Sequence, residues 1–454
     1  MARADARSVA ALAPVIAPGE DFASVTARIS DLVLVRKTPL WWYAGMAVSL
    51  ALLLLLVVAA LWLFIAGIGI WGVDIPVAWG LALANYVWWI GIASGGTFIS
   101  SLFYLVGAEW RNGVNRAAES LTLFAAAAAG LMPIFHLGRP GLFYWLFPYP
   151  NVMHIWPQFR SPLLWDFFAL LAYVLTSVVF WYLGLIPDCA TLRDRATTRG
   201  RQILYGILAL GWRGSARHWR TYKTVYLVMA GMMAPMVVSV HSIVGLDFAG
   251  GLAAGWHSTQ WPPYFFIGAV HSGWAVVLLL ILPLRRLYGL EPIITPRHLD
   301  VLAKLMLTTS LMLAYCYAME AFEPFYSGDD AKRAEFLTSA FGPYGYAFWA
   351  RNTLNILVPQ LLWLPAARRS APLLFLISLG VVIGMWLERY SFVVSSLAHD
   401  YMPSEYGSYS ATFWDWAILA GSCGLVLCGI FLFIRLLPVV SIFAIRETIE
   451  EQRR

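Results

Sequence analysis

His136, Asp166, His241, Asp247, His271, Glu320, Glu323, Arg351, Glu388 and Arg389 lie within or at the ends of long apolar stretches. An imidazole, carboxyl or guanidinium in such a stretch costs several kcal/mol unless it is paired or hydrated, so each is a functional candidate. The chemistry they offer is proton chemistry. An imidazole and a carboxylate on neighbouring elements can accept a hydroxyl proton and relay it. Burial or a nearby carboxylate can move a histidine across the working pH. That combination suits a substrate losing two protons and two electrons, such as a quinol. His136 and Asp166 form the leading pair. His136-Leu-Gly-Arg139-Pro opens an aromatic stretch, and Ser161-Pro-Leu-Leu-Trp165-Asp166 closes it. Aromatic surroundings suit a flat ring and an isoprenoid tail.

Other ionisable residues read more plainly. His257 and His399 are expected to be hydrogen-bonded structural residues, and Asp415 a neighbour of a helix N-cap. Glu388 and Arg389 are adjacent and so face different directions on a helix. They are read as serving different neighbours, with a charge relay or a structural ion pair as alternatives. His241 and His271 differ in expected depth by roughly 6 Å at 1.5 Å per residue, which leaves room for one haem. A four-histidine di-haem arrangement is not visible, and no haem is expected. The four cysteines, Cys189, Cys316, Cys423 and Cys428, contain no C-x-x-C pair. No iron–sulfur cluster, metal site or disulfide framework is expected.

The elements that hold these residues must be membrane helices. Of the 454 residues, 60% are hydrophobic and 12% charged. That excludes an ordinary soluble enzyme and a disordered chain. Apolar runs of roughly 20 residues or more can cross a ~30 Å hydrocarbon core as helices, and they exclude a β-barrel's alternation. Spans are expected near 43–71, 76–108, 117–136, 163–183, 222–247, 261–285, 299–323, 344–366, 371–398 and 412–437. The first 42 residues hold no apolar core followed by a small-residue cleavage site, so no cleavable signal peptide is expected there.

Charge sets the orientation. Of the 31 Lys and Arg, 23 fall in the tails and in alternate loops on one side, and four on the other. The positive-inside rule makes both termini cytoplasmic. The net charge of +6 then needs no nucleic acid to explain it. Most of the ionisable residues above gather at the outer ends of the spans. The outer segments 136–162, 247–262, 324–343 and 399–411 read as loops. The first is rich enough in rings to pack on the protein, lie at the interface or dock a partner.

The expected fold is an all-α polytopic membrane protein of about ten transmembrane helices. Residues 1–42 form a cytoplasmic tail, 43–440 the membrane domain and 441–454 a second tail. Tyr86…Ser94-Gly95 is echoed by Tyr264…Ser272-Gly273 with the same spacing. Two four-helix bundles, about 76–247 and 261–398, with two flanking helices, would account for this echo. Small residues there would let helices approach closely.

Asn85-Tyr-Val-Trp-Trp-Ile-Gly-Ile-Ala-Ser-Gly-Gly-Thr97 resembles the second-helix signature of the NrfD/PsrC-type membrane subunits of the polysulfide-reductase family. His136-Leu-Gly-Arg-Pro140 and the downstream Trp165-Asp166 resemble that family's next two helices. Within the family, the ten spans, the length and the Pro-Gln-Phe-Arg-Ser-Pro-Leu-Leu-Trp-Asp stretch are most like the quinol-oxidising members of alternative complex III. The resemblance implies a bacterial inner-membrane subunit that binds ubiquinol or menaquinol and holds no haem, metal or cluster. It implies His136 and Asp166 at the quinone head and Asp247 as a nearby proton acceptor. Arg139, Trp165, Tyr86 and Arg351 are further candidates for quinone contacts. The implied partners are a periplasmic iron–sulfur protein, c-type cytochrome subunits, a related ten-helix membrane subunit and a terminal oxidase.

A quinol site on the outer side would release protons and electrons to one side and move little charge. Proton pumping would need a path from inside, for which Lys304, His271, Glu320, Glu323, Glu388 and Arg389 are candidates. Two other function classes fit the same spans: a quinone-reducing anchor of a molybdopterin or other oxidoreductase, and a secondary transporter.

Overall fold

The computed structural model describes residues 14–146 and 159–453. Residues 147–158, the centre of the aromatic stretch expected to pack on the protein, lie at the interface or dock a partner, fall outside the described residues. Every regular element in the described residues is helical.

Among the described residues, eight helices are long and apolar enough to cross a membrane. They are α2 (Leu40–Ala66), α4 (Asn115–His136), α5 (Pro162–Arg195), α7 (Ala216–Ala249), α8 (Trp261–Tyr288), α9 (Pro296–Tyr326), α13 (Ala371–Tyr390, prolonged by a π-helical turn at Ser391–Ser395) and α14 (Phe413–Leu436). The other two expected spans are built differently. Helix α3 (Leu81–Leu105) is buried along most of its length. It carries Asn85, Ser94, Thr97, Ser100 and Ser101, which lower its hydropathy. In that interior Ser94 donates to the Ile90 carbonyl at 3.0 Å and Ser101 to that of Thr97 at 2.8 Å, so these hydroxyls are satisfied locally. The segment 344–366 is not one helix. Helix α11 (Gly345–Asn352) passes into a π turn (Thr353–Leu357) and a 3-10 run (Val358–Trp363). Pro359 has no N–H for the carbonyl four residues back. That carbonyl, on Asn355, instead accepts from Ser310 at 2.7 Å.

Shorter helices fill the ends. At the inner end, as the arginine count assigns it, lie α1 (Phe22–Leu34), α6 (Arg199–Leu208), α12 (Pro365–Arg369) and α15 (Ile442–Arg453). At the outer end, α10 (Asp330–Phe341) replaces the expected loop at 324–343. Asp329 caps it, accepting from the amides of Ala331 at 3.0 Å and Lys332 at 3.2 Å.

Helices α3, α4, α5 and α7 pack together, as do α8, α9, α11 and α13, while α2 lies against α14. The two groups meet where α3 crosses α8. A Cβ on Gly95 would lie 2.2 Å from the Cα of Gly273, and the converse distance is the same. The echoed Ser-Gly pairs are therefore the crossing point, and glycine is required by the close approach of two backbones.

Candidate functional site

Four of the predicted residues meet at the outer end of the first group. Tyr86 stands early in α3, His136 ends α4, Asp166 lies in the opening turns of α5 and Asp247 in the last turn of α7. All four line one cavity of about 430 Å³. Its other walls are apolar, including Trp79, Pro133, Phe143, Leu170 and Phe248. Along α5 it runs from Leu163 to Val174, about 16 Å at 1.5 Å per residue. Its polar groups sit at the outer end alone.

These groups are poorly satisfied by the protein itself. The Tyr86 hydroxyl donates to Asp166 Oδ2, but Asp166 Oδ1, Asp247 Oδ1 and His136 Nδ1 are buried without a partner. The His136 ring lies near-parallel to Trp71, at 13° with centroids 6.5 Å apart, which fixes its plane. A buried polar atom without a hydrogen bond costs about 1–3 kcal/mol. Three such atoms around one apolar space form a site for a guest with hydroxyl or carbonyl groups at one end and an apolar body. A quinol head and tail fit that description. Among the described residues, no three His, Cys, Asp or Glu side chains come together as a metal site.

The remaining predicted contacts fall elsewhere. Arg139 is exposed beyond the end of α4. Trp165 points outward, 41% exposed, and donates to the Phe159 carbonyl at 2.6 Å. One helical residue from Asp166, it faces away from the cavity, as a rotation of about 100° per residue dictates. Arg351 belongs to the second group.

A second cavity, of about 50 Å³, lies at the outer end of that second group. Charged residues line it: Glu320, Glu323, Lys332, Glu335 and Arg351. Most of them are paired. Arg351 bonds Glu320 at 2.6 Å and Lys332 bonds Glu323 at 2.8 Å. The Arg351 guanidinium also lies over Phe348 at 4.8 Å and Tyr317 at 5.1 Å. Deeper in, the Tyr317 hydroxyl donates to Glu388 and accepts from Asn355 at 2.9 Å. Glu388 and Arg389 combine two of the expected readings, an ion pair and separate neighbours. Arg389 Nη1 lies 2.9 Å from Glu388 Oε1, with both residues buried. Each also serves a neighbour, since Arg389 covers Phe265 at 4.5 Å. The π turn at Ser391–Ser395 follows this pair at once. His271 stands apart from this chain, its Nδ1 2.9 Å from Thr309. Lys304 pairs with Asp300 near the inner end, at 2.6 Å.

Asp415 behaves as read from the sequence. It accepts from the Thr412 and Gly72 amides at 2.8 and 2.9 Å and from Tyr409 at 2.8 Å. Sequence reasoning missed Trp71, Glu335 and the buried cluster in which Arg116 bonds Glu119 at 3.0 Å and Asp188 at 3.3 Å. The spacing of three between Arg116 and Glu119 was the available signal.

Similarity to known proteins agrees with this architecture. The chain is 28% identical over 342 residues to a putative dimethyl sulfoxide reductase membrane subunit of Halobacterium salinarum, covering 72% of this chain and 73% of that one. It is 23% identical over 385 residues to a selenate reductase subunit of Mesobacillus selenatarsenatis, covering 80% and 86%. Residues 72–399, which span both cavities, match the family described as polysulphide reductase, NrfD. This multi-pass membrane protein belongs to the NrfD family.

Proposed function

We propose that the chain is the quinol-binding membrane subunit of a respiratory electron-transfer complex of the alternative complex III type. The first cavity carries the reading. It is long, apolar and open to a tail, and its unpartnered polar atoms stand at one end. In this reading His136 Nδ1 and Asp166 Oδ1 accept the hydrogen bonds of the quinol hydroxyls and then their protons. Tyr86 holds the other oxygen of Asp166 and so aims the first. Asp247 is the second carboxyl that takes a proton and passes it outward. Bound quinol supplies two electrons. They leave to a periplasmic iron–sulfur protein of the same complex. Further partners in the bacterial inner membrane are c-type cytochromes, a related membrane subunit and a terminal oxidase.

The names of the relatives bear on direction. A reductase consumes electrons, and a membrane subunit serving one would deliver them from quinol. The second reading, a quinone-reducing anchor of another oxidoreductase, uses the same cavity in reverse. Proton translocation is proposed through the second group of helices, by Glu320, Arg351, Tyr317, Glu388 and Arg389, whose contacts form a continuous chain from the outer cavity inward.

The test is steady-state quinol oxidation by the purified complex. His136→Ala and Asp166→Asn are expected to lower turnover by at least roughly 100-fold while the complex still assembles, the scale of a lost acid–base group. Wild-type turnover in both variants would refute the site. Turnover only with a quinone and an external donor would support the reverse direction.

A further inference from the structure

At the opposite end of the molecule, the segment between α5 and α7 holds a feature that quinol chemistry does not use. Between Arg193 and Arg220 stand seven arginines and one acid, Asp194. That excess equals the whole chain's net charge of +6, so the rest of the protein is balanced and the imbalance is local. Three of the seven are engaged by the protein. Arg193 bonds Asp194 at 2.8 Å and the Trp212 carbonyl at 3.0 Å. Arg195 bonds Asp31 at 3.3 Å, and Arg201 bonds the Leu34 carbonyl at 2.5 Å. Arg199, Arg213, Arg217 and Arg220 are exposed, and their side chains make no ion pair among the described residues.

Helix α6 lies within this segment. Tyr205 and, just past the helix, Ala209 are buried. The outward residues are Ile203 at 52%, Leu204, Ile207 at 67% and Leu210 at 66% exposed. Three aliphatic side chains on one face of α6, with Leu210 just past its end and free arginines flanking both, describe a helix lying in a membrane interface. The length of α5 agrees. Its 34 residues extend about 51 Å, well past a ~30 Å hydrocarbon core, so its arginine end reaches the headgroups. Beside α6, a cavity of about 140 Å³ is lined by Arg193 with its partner Asp194, and by Trp212, Arg213, Trp219 and Arg446. It pairs guanidinium groups with indoles, the residues favoured at headgroup depth.

We propose that this segment is a binding site for an acidic phospholipid. The phosphate sits among Arg213 and its neighbours, and the aliphatic face of α6 lies against the acyl chains. Charge complementarity selects this occupant. A soluble anion would account for the arginines but would leave the aliphatic face in water. A zwitterionic lipid would cover that face but would not neutralise the four arginines left without an ion pair.

The experiment compares the full chain purified with phosphatidylglycerol and with phosphatidylcholine, counting retained lipid by native mass spectrometry. Phosphatidylglycerol is expected to be retained roughly tenfold more, and Arg199→Gln, Arg213→Gln, Arg217→Gln and Arg220→Gln combined to abolish the preference. Should that variant fail to fold, the wild type decides alone through its melting temperature, which phosphatidylglycerol should raise and phosphatidylcholine should not. Equal retention and equal melting temperatures would overturn the proposal. So would full displacement of phosphatidylglycerol by millimolar inorganic phosphate, which would make a free anion the ligand. Quinol turnover in detergent should be unchanged by the four substitutions, so failure here is separable from failure at the quinol site.

Discussion

Tyr86 and Tyr264 occupy matching positions in the two helices that cross at Gly95 and Gly273, yet their surroundings differ in kind. Tyr86 holds one oxygen of Asp166 beside a cavity of about 430 Å³ whose remaining polar atoms lack partners. Tyr264 packs near Tyr317, with ring centroids 5.8 Å apart, beneath a cavity of about 50 Å³. There Glu320 is bonded to Arg351 and Glu323 to Lys332. One group of helices leaves its polar atoms single around apolar space. The other pairs most of its charges, although Glu320 Oε2, Arg351 Nε and the Tyr264 hydroxyl also lack a hydrogen-bond partner, and it leaves room for little more than water. Single buried groups gain most from a guest that supplies the missing hydrogen bond, whereas paired charges gain little. Similar helical frames thus suit a ligand site on one side and a charge chain on the other.

The largest effect that could break this comparison is on turnover. Asp247→Asn should lower quinol oxidation by roughly 100-fold, since the cavity then keeps one carboxyl of two. Glu320→Gln should leave electron transfer within about threefold but lower the protons moved per electron in liposomes. Were Glu320→Gln to stop electron transfer while Asp247→Asn did not, the roles would be reversed. Next in size is stability. Arg351→Ala leaves Glu320 without its ion-pair partner in a half-closed site. A loss of about 3–5 kcal/mol is expected for one partner removed from a buried pair. Thermal unfolding in detergent measures it, and Arg351→Lys should recover part. An unchanged melting temperature would mean that the second cavity is as solvated as a surface.

Helix positions were legible in the sequence because apolar length and arginine counts report directly on the bilayer. Ionisable residues in apolar surroundings pointed to a shared place: His136, Asp166 and Asp247 line one cavity. Legibility failed where direction around the helix decides. Trp165 shares a motif with Asp166 but faces outward. Arg351 shares the outer end with His136 but sits in the other group of helices. Sequence spacing gives depth along a span, and packing alone gives its azimuth. The same limit explains the broken segment at 345–363, where Pro359 and the Ser310 hydroxyl, distant in sequence, set the local geometry together.

A smaller effect would sharpen the ligand's shape. Gly130 lines the first cavity on α4, away from the polar end, and a Cβ there would meet nothing within 4 Å. Exposed Leu171 lines the same cavity on α5, so the cavity opens sideways between these helices. Gly130→Leu should narrow that opening. The KM for a long-tailed quinol should rise about tenfold, the cost of roughly 1.4 kcal/mol of lost tail contacts. A short-tailed analogue should be little affected. Equal changes for both would mean that the tail leaves elsewhere.

The smallest effect separates the cavities by pH. Glu335 lies outside the spans on α10, where burial pushes its carboxyl up from 4.5 to about 7 despite a 2.8 Å bond from Ser339. Below pH 4.5 it is neutral both folded and unfolded, and burial costs nothing. As pH rises toward 7 the unfolded form ionises first, so the stability associated with the bound proton is lost through that window. Glu335→Gln keeps the bond to Ser339 and cannot ionise. The melting temperature of the variant should therefore fall less than that of the wild type between those two values. The curves should lie closest at the acid end, where the wild-type residue is itself uncharged. Quinol turnover should show no matching inflection, because Glu335 faces the second cavity and not the first. An inflection in turnover that disappears in Glu335→Gln would tie the two cavities together and end the division of labour between them.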